Sequence, residues 1–329
     1  MKIVTGYKKE ISVKLVVVTG CLGLIGNYVT RACLNKGWRV FGIDKMTYAA
    51  NNWALEEFLQ NDNFTFLKED ICNLKTLPDC DYVINIAAES HVGNSIVDSE
   101  DFISANIVGV QNLLNLIKNK QNNVFKRPVF LHFSTDEVYG DIENGLHSEK
   151  DILKPSNPYS ASKAAADMLI LAWSRTYNID YVIVRPTNNY GIGQYPEKFI
   201  PITIKLLSMG RKVNLHDAGE PIRNWLHCED TAGAVIKIIE TETKNEIYNI
   251  SGNLEQKNII TAKKILNSFL NKEEDDIEKY FNLEYKRPGQ DVRYALDDSK
   301  LRNLGWKNNK NFNEEIEKIV KYYKENFIW

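Results

Sequence analysis

Ser134, Thr135, Asp136 and Glu137 set two hydroxyls and two carboxyls on consecutive residues, and Tyr159 and Lys163 follow at a spacing of four. On a helix that spacing puts both side chains on one face. A bare phenol, with a pKa near 10, is a poor base at neutral pH. A nearby ammonium, together with the positive charge of an oxidised nicotinamide, would stabilise the phenolate, so Tyr159 can take a hydroxyl proton while hydride leaves the same carbon. Thr135 can hydrogen-bond the reacting oxygen. The Tyr-Lys pair alone points to redox chemistry at an alcohol carbon. Two adjacent acids on a turn reach different atoms of one substrate, and they point to loss of water as well.

These groups must be held by rigid elements, and the first half of the chain supplies them. β-branched and apolar runs at 15–19, 39–44, 64–68, 82–87, 129–134 and 181–185 read as strands. Between them, 27–35, 104–118 and 161–177 read as helices. Strands separated by helix-length segments predict βαβ units and a parallel sheet covered on both faces. The acid pair then follows a strand at its carboxyl end, and Pro158 opens the Tyr-Lys helix near the same edge, where ligands bind in doubly wound sheets. The second half carries Pro196, Pro201, Pro221 and Pro288, with helices expected at 200–209, 230–241 and 261–270 and a solvated helix face at 272–279. The expected fold class is α/β: a Rossmann-type doubly wound parallel sheet with a smaller α+β substrate-binding lobe. The expected domains are an arm at 1–14, a cofactor domain at 15–187 completed by about 222–250, and the lobe at 188–329.

The segment Thr19-Gly20-Cys21-Leu22-Gly23-Leu24-Ile25-Gly26 joins the first strand to the first helix. Its Gly-x-x-Gly-x-x-Gly spacing is a variant of the dinucleotide-binding fingerprint. Gly20 makes the tight turn, Gly23 lets backbone approach a pyrophosphate and Gly26 allows close helix–sheet packing. The helix N-terminus then offers unpaired N–H groups to the phosphates, with Leu24 and Ile25 in its first turn. Asp44, 18 residues after Gly26, ends the second strand. A carboxylate there accepts bonds from ribose hydroxyls and repels a 2′-phosphate, which favours NAD over NADP despite Lys45 next door. Asp70, Ile71 and Ala87 complete the cofactor candidates, Asp70 for adenine contact.

The matching segments extend along nearly all of the chain after the arm. They include Asp44-Lys45-Met46-Thr47-Tyr48-Ala49, Ala87-Ala88-Glu89-Ser90-His91-Val92, the run 134–140, Pro158 to Lys163, Asn188-Asn189-Tyr190-Gly191, Pro196-Glu197-Lys198, Ile222-Arg223-Asn224-Trp225 and Arg287-Pro288-Gly289. With these the chain resembles the nucleotide-sugar 4,6-dehydratases of the extended short-chain dehydrogenase/reductase superfamily, and within them it is most similar to the dTDP-glucose enzymes. The resemblance implies an NAD-dependent hydro-lyase. Tyr159, assisted by Thr135, removes the C4 hydroxyl proton as hydride leaves; Lys163 holds the nicotinamide ribose. Glu137 takes the C5 proton, and Asp136 protonates the departing C6 hydroxyl. It also implies that Asn189, Lys198, Arg223, Asn258 and Arg287 line the nucleotide-diphosphate pocket, with Arg223 as a pyrophosphate clamp. Ser90, Phe199 and His216 complete the substrate candidates beside Thr135.

Three departures concern the sugar and the base. Gly93-Asn94 stands where the family usually has Asp-Arg, Asn214-Leu215-His216-Asp217 replaces Pro-x-Tyr-Gly, and Gln290 replaces a histidine after Arg287-Pro288-Gly289. The reaction type therefore carries over more firmly than the substrate, which is dTDP-glucose or a GDP- or UDP-linked N-acetylhexosamine such as N-acetylglucosamine. Alternative readings are a 4-epimerase or simple dehydrogenase of the same superfamily, and a non-catalytic nucleotide-sugar sensor.

Bulk composition bounds these readings. The 329 residues hold 41 basic and 43 acidic side chains, a net charge of −2, so nothing global favours nucleic acid. Five cysteines without Cys-x-x-Cys spacing speak against a disulfide framework or zinc site, and a reducing cytoplasm fits them. No metal is expected. No apolar run reaches the roughly 20 residues of a membrane span. A homodimer through the helices at 104–118 and 161–177 is expected from the resemblance.

Overall fold

The computed structural model describes residues 13–120, 127–252, 254–285 and 291–326. The expected arm, but for its last two residues, and Arg287 to Gln290 lie outside the described residues. The first strands are β1 (Leu15–Thr19), β2 (Arg39–Asp44), β3 (Phe64–Lys68), β4 (Tyr82–Asn85), β5 (Val129–Phe133) and β6 (Tyr181–Pro186). The later ones are β7 (Asn188–Tyr190), β8 (Val213–Asn214), β9 (Ile222–His227), β10 (Glu246–Ile250), β11 (Glu255–Lys257) and β12 (Phe281–Asn282). Among the described residues the main sheet has seven strands in the order β10-β6-β5-β4-β1-β2-β3, all parallel. The chain runs outward from β1 to β3 and returns at β4 beside β1. Their carboxyl ends form the switch point at which such sheets bind ligands.

Strand alternation builds two apolar layers. Val16, Val18, Ile84, Leu131 and Val184 face helices α1 (Leu24–Asn35) and α8 (Cys228–Glu240). Val17, Val83, Phe130 and Ile183 face α5 (Gly109–Asn119) and α6 (Pro158–Tyr177). Both faces are covered, which is why these strands read as continuous apolar runs rather than alternating ones. The remaining helices are α2 (Asn52–Phe58), α3 (Val92–Val97), α4 (Glu100–Ile103), α7 (Phe199–Ser208), α9 (Asn258–Leu270), α10 (Ser299–Arg302) and α11 (Phe312–Glu325). Helices α7, α9 and α11 pack on the three-stranded sheet β11-β9-β7 and on the pair β12-β8 to form the smaller lobe. The stretch 222–250 is divided: α8 and β10 complete the large layer, whereas β9 pairs with β7 and β11.

Two expected helices differ. The run 104–118 begins as a π-helical turn, Ser104–Val108, before α5 starts at Gly109. A Cβ on Gly109 would lie 2.6 Å from the Ile71 side chain, so the helix approaches the β3–β4 connection more closely than a regular run with side chains allows. The charged run 272–279 is not a helix. Asn271 enters the left-handed region at φ 53° and ends α9, and only Ile277–Lys279 forms a short 3-10 turn. No helix among the described residues is long and apolar enough to cross a membrane.

Candidate active site

A cleft of about 330 Å³ opens over the carboxyl ends of β1, β4 and β5. Gly20 adopts φ +67°, donates its N–H to Ile43 at 2.7 Å, and sits so close to Ala87 that a Cβ would meet its backbone at 2.7 Å. A Cβ on Gly26 would reach 1.8 Å from the Gly20 carbonyl oxygen. Gly23 caps α1 without a side chain, leaving the helix N-terminus open beside Leu24 and Ile25. The Asp44 carboxylate accepts from the N–H groups of Leu22 at 3.0 Å and Met46 at 2.7 Å, fixing the glycine-rich turn against β2. Burial raises its pKa, and those two amides oppose the rise. Lys45 is engaged by Glu89 at 3.0 Å and lies 4.0 Å from Asp70, so its charge is already balanced by carboxylates. The glycine cradle, the open helix end and a carboxylate at the ribose position fit NAD. Asp70 also caps a turn through Cys72 N–H at 2.8 Å, and it lines the cleft with Ile71 and Ala87.

The acid loop starts where β5 stops. Thr135 caps a one-turn 3-10 helix, Asp136–Tyr139, by accepting from Glu137 N–H at 3.3 Å, and its hydroxyl donates to Asp136 Oδ1 at 3.1 Å. Asp136 Oδ2 is buried with no hydrogen-bond partner among the described residues, although the residue lines the cleft. Burial, reinforced by the neighbouring Glu137 charge, pushes the Asp136 carboxyl up to about 8. It is therefore an acid at neutral pH, with one oxygen uncommitted. Burial also raises Glu137, but Asn157 and Arg223 oppose that rise. Adjacent carboxyls thus have separate environments, the pattern that assigns one acid and one base.

Asn157 was missed in the sequence, and it joins the two halves of the site. Its Oδ1 accepts from Ser160 N–H at 2.9 Å to form the capping box of α6, while its Nδ2 donates to Glu137 Oε2 at 3.2 Å. An Asn immediately before Pro158, with Ser160 three residues on, was the available signal. Tyr294 was missed as well: its hydroxyl reaches Glu137 Oε2 at 3.5 Å and donates to Asp291. Nothing local marks a residue that arrives from the other end of the chain.

Tyr159 and Lys163 are buried on α6 and line the same cleft. Burial together with the Glu137 charge pushes the Tyr159 phenol upward, and the neighbouring Thr135 hydroxyl opposes the rise. Lys163 does not offset that rise, so a phenolate here rests on the second positive charge expected beside it, that of the oxidised nicotinamide. Burial pushes Lys163 down to about 8, against the pull of Asp167.

Of the substrate candidates, Ser90, Thr135, Asn189 and Lys198 line the cleft. Lys198 crosses from the small lobe to donate to the Ser90 carbonyl at 2.7 Å. Asn189 spends its amide on the Thr187 carbonyl and the Thr231 hydroxyl. Phe199, His216, Arg223 and Asn258 are not brought to the cleft wall. Phe199 stacks on Trp225 in the lobe core, with centroids 6.2 Å apart, and His216 packs on Tyr285 at 4.9 Å. Asn258 opens α9, its buried Oδ1 without a partner among the described residues. The Arg223 guanidinium donates to the carbonyls of Ile222, Asp291 and Val292 and lies 4.9 Å over the Tyr294 ring. Its charge also opposes the upward shift of Asp136 and Glu137. Arg287 lies outside the described residues. No group of three metal-binding side chains occurs among the described residues.

Comparison with known proteins gives a consistent picture. The profile of a family described as GDP-mannose 4,6 dehydratase matches residues 17–319. A dTDP-glucose 4,6-dehydratase from Haemophilus influenzae is 39% identical over 328 residues, covering 94% of this chain and 97% of that one. The crystal structure of the dTDP-glucose 4,6-dehydratase DesIV from Streptomyces venezuelae, which contains NAD, superposes with a TM-score of 0.88 at 33% identity over 95% and 97% of the two chains. A UDP-glucuronic acid 4-epimerase from Bacillus cereus, in complex with UDP-glucuronic acid and NAD, superposes with a TM-score of 0.86 at 25% identity over 94% and 99%.

Proposed function

The chain belongs to the GDP-mannose 4,6 dehydratase family, and from that membership we propose that it is an NAD-dependent hydro-lyase that removes water across C5 and C6 of dTDP-glucose, leaving a 4-keto-6-deoxy sugar. One observation carries the reaction: Asp136, whose buried carboxyl is pushed up to about 8, and Glu137, a carboxyl hydrogen-bonded by Asn157, line one cleft with Tyr159. The backbone cradle of Gly20, Gly23 and Gly26 and the carboxylate of Asp44 would hold NAD, which when bound accepts hydride from C4 and later returns it to C6.

Tyr159, beside Thr135, takes the C4 hydroxyl proton, and Lys163 orients the ribose. The resulting ketone acidifies the C5 hydrogen, without which a carboxylate is far too weak a base. Glu137 removes that proton. Asp136 gives its own proton to the C6 oxygen, so that water rather than hydroxide departs. As hydride returns to C6, Glu137 gives its proton back to C5, and the proton that Tyr159 took from the C4 hydroxyl makes good the one that Asp136 gave, so atoms balance as substrate less one water and NAD is regenerated.

The dTDP-glucose assignment is supported by the relatives named above. Gly93 and Asn94 lie in the first turn of α3, just after the cleft-lining Ser90, and this departure keeps a GDP- or UDP-linked N-acetylhexosamine as the competing substrate. The 4-epimerase reading needs only Tyr159, Thr135 and Lys163, and it leaves Asp136 and Glu137 without a task. We read residues 15–187, with α8 and β10, as the cofactor unit and most of 188–329 as the sugar-binding lobe. A homodimer is supported by exposed Ile96, Val97, Ile103, Val108 and Met168, apolar groups on α3, α4, α6 and the π-helical turn.

A panel of dTDP-, GDP- and UDP-sugars, assayed by mass for loss of one water without net NADH, tests both levels. Preferential turnover of dTDP-glucose supports the proposal. Preference for another nucleotide overturns the substrate, and the absence of water loss throughout overturns the reaction.

A further inference from the structure

Two loops from opposite sides of the cleft meet beside the glycine-rich turn. The first, 45–51, follows β2, and the second, 191–198, joins β7 to α7 in the smaller lobe. Both line the cleft, through Thr47, Tyr48 and Ala50 on one side and Gly193, Tyr195 and Lys198 on the other. Their bases are fixed. Asn51 gives its backbone N–H at 2.8 Å and its Nδ2 at 3.0 Å to the Leu22 carbonyl, which ties the first loop to the glycine-rich turn. Gly193, at φ +92°, packs so closely that a Cβ would meet Asn51 Oδ1 at 2.9 Å. Tyr28 on α1 donates to the Ile192 carbonyl at 3.3 Å, and Tyr323 on α11 donates to that of Gln194 at 2.5 Å, so the second loop is anchored from two more directions.

The rim above these bases is joined by side chains. Tyr48 Oη donates to Glu197 Oε2 at 3.0 Å, and its ring stands edge-on to Tyr195 with centroids 4.8 Å apart. Burial and the Glu197 charge hold the Tyr48 phenol above its ordinary value, so the hydroxyl stays a donor. Yet Tyr48 is 58% exposed, and both of these contacts go to the opposite loop rather than into a core. Lys198, next in sequence to Glu197, makes a second crossing to the Ser90 carbonyl at 2.7 Å. We propose that Tyr48, Tyr195 and Glu197 form a clasp across the mouth of the cofactor cleft, which must open before NAD can leave. NAD held by the glycine cradle would lie in the cleft that both loops line, so a joined rim slows its escape. A cofactor that is restored in each turnover has no need to exchange, and its loss midway would strand an oxidised sugar.

This inference rests on NAD lying over the glycine cradle and not on which sugar is dehydrated. Release of NAD from the loaded full-length protein can be followed with excess alcohol dehydrogenase and ethanol, which turn free NAD into NADH. Tyr48→Ala, which removes the bond and the ring contact, should speed release about tenfold to a hundredfold. Tyr48→Phe, which keeps the ring, and Glu197→Ala should each speed it about fourfold to tenfold. Combining those two should add less than about twofold to either, since both remove one bond. Glu197→Gln, which still accepts from the hydroxyl, should stay within about twofold of the wild type. Cofactor-free variants should melt within about 2 °C of the wild type, because an exposed rim contributes little to folding. Release as slow in Tyr48→Ala as in the wild type overturns the clasp. Effects of Tyr48→Phe and Glu197→Ala that multiply in the double variant would mark two independent contacts and overturn it equally. Faster release with a larger fall in melting temperature would assign the contact to folding and overturn it as well. A protein that releases NAD as expected yet dehydrates no sugar counts against the dehydratase reading alone. A wild-type protein that holds no NAD overturns the cofactor site and the clasp together.

Discussion

The hydroxyl of Ser134 donates to Asp167 Oδ2 at 3.0 Å, the same oxygen that Arg185 Nε meets at 3.0 Å. Asp167 lies one helical turn beyond Lys163, and both it and Arg185 are almost wholly buried. Arg185 continues to the Tyr139 hydroxyl at 2.7 Å, at the far end of the 3-10 turn that bears the acid pair. The acid loop and the Tyr-Lys helix therefore hang on one buried ion pair.

Removing one partner of such a pair strands the other charge. Arg185→Met should lower unfolding stability by about 3–5 kcal/mol, read from the denaturant midpoint. Replacing both, Arg185→Met with Asp167→Leu, should recover much of that loss. Equal stability of the single variant and the wild type would show that the pair does not support the frame.

Glu137→Gln keeps the Asn157 and Tyr294 neighbourhood but cannot accept a proton. Substrate-dependent NAD reduction should persist, while water loss falls by about 10²- to 10⁴-fold. Absorbance of the reduced cofactor in a single turnover separates the two steps. Unchanged dehydration would remove Glu137 from the C5 role.

Asp136 works as an acid only while protonated. Its carboxyl is raised from an ordinary 3.8 to about 8, so the dehydration step should decline as pH rises through about 8. The linked stability has the same sign. The raised value contributes stability in full below 3.8, and that contribution is lost progressively as pH climbs through 8. Asp136→Asn, which never has to ionise, should abolish turnover and yet melt about 2 °C or more above the wild type at pH 7. A melting temperature below the wild type would contradict the burial argument.

Asp44 holds the glycine-rich turn, and we propose that it also accepts from the cofactor ribose. Asp44→Ala leaves the N–H groups of Leu22 and Met46 without their acceptor and removes a charged hydrogen bond to cofactor. NAD affinity should fall by about tenfold to a hundredfold in calorimetry. Unaltered affinity would place the ribose elsewhere.

Much of the frame was legible in the chain because its signals are local. The strands β1, β2 and β3 were bounded correctly from apolar runs alone. The Gly20-Gly23-Gly26 spacing predicted a turn that the positive φ of Gly20 and the tight packing of Gly26 require. The helix ends were less legible: α1 begins at Leu24 rather than at 27, since a glycine cap leaves no side-chain signature. The π-helical turn gives way to α5 at Gly109, which packs closely against Ile71 from the β3–β4 connection, a contact that no spacing announces.

Sequence by itself determined the fold class, the family and the inventory of reactive groups, since periodicity, glycine spacing and the run Ser134 to Glu137 are properties of neighbours in the chain. Tertiary structure decided their states. Asp136 becomes an acid because folding strips water from it beside Glu137. The Arg223 guanidinium is held by the carbonyls of Asp291 and Val292, which arrive from far along the chain. The hydrogen bonds that join Thr19, Asn85 and His132 exist only where three strands come into register. Burial and long-range hydrogen bonding set charge and direction, and neither is a property of residues next to each other in sequence.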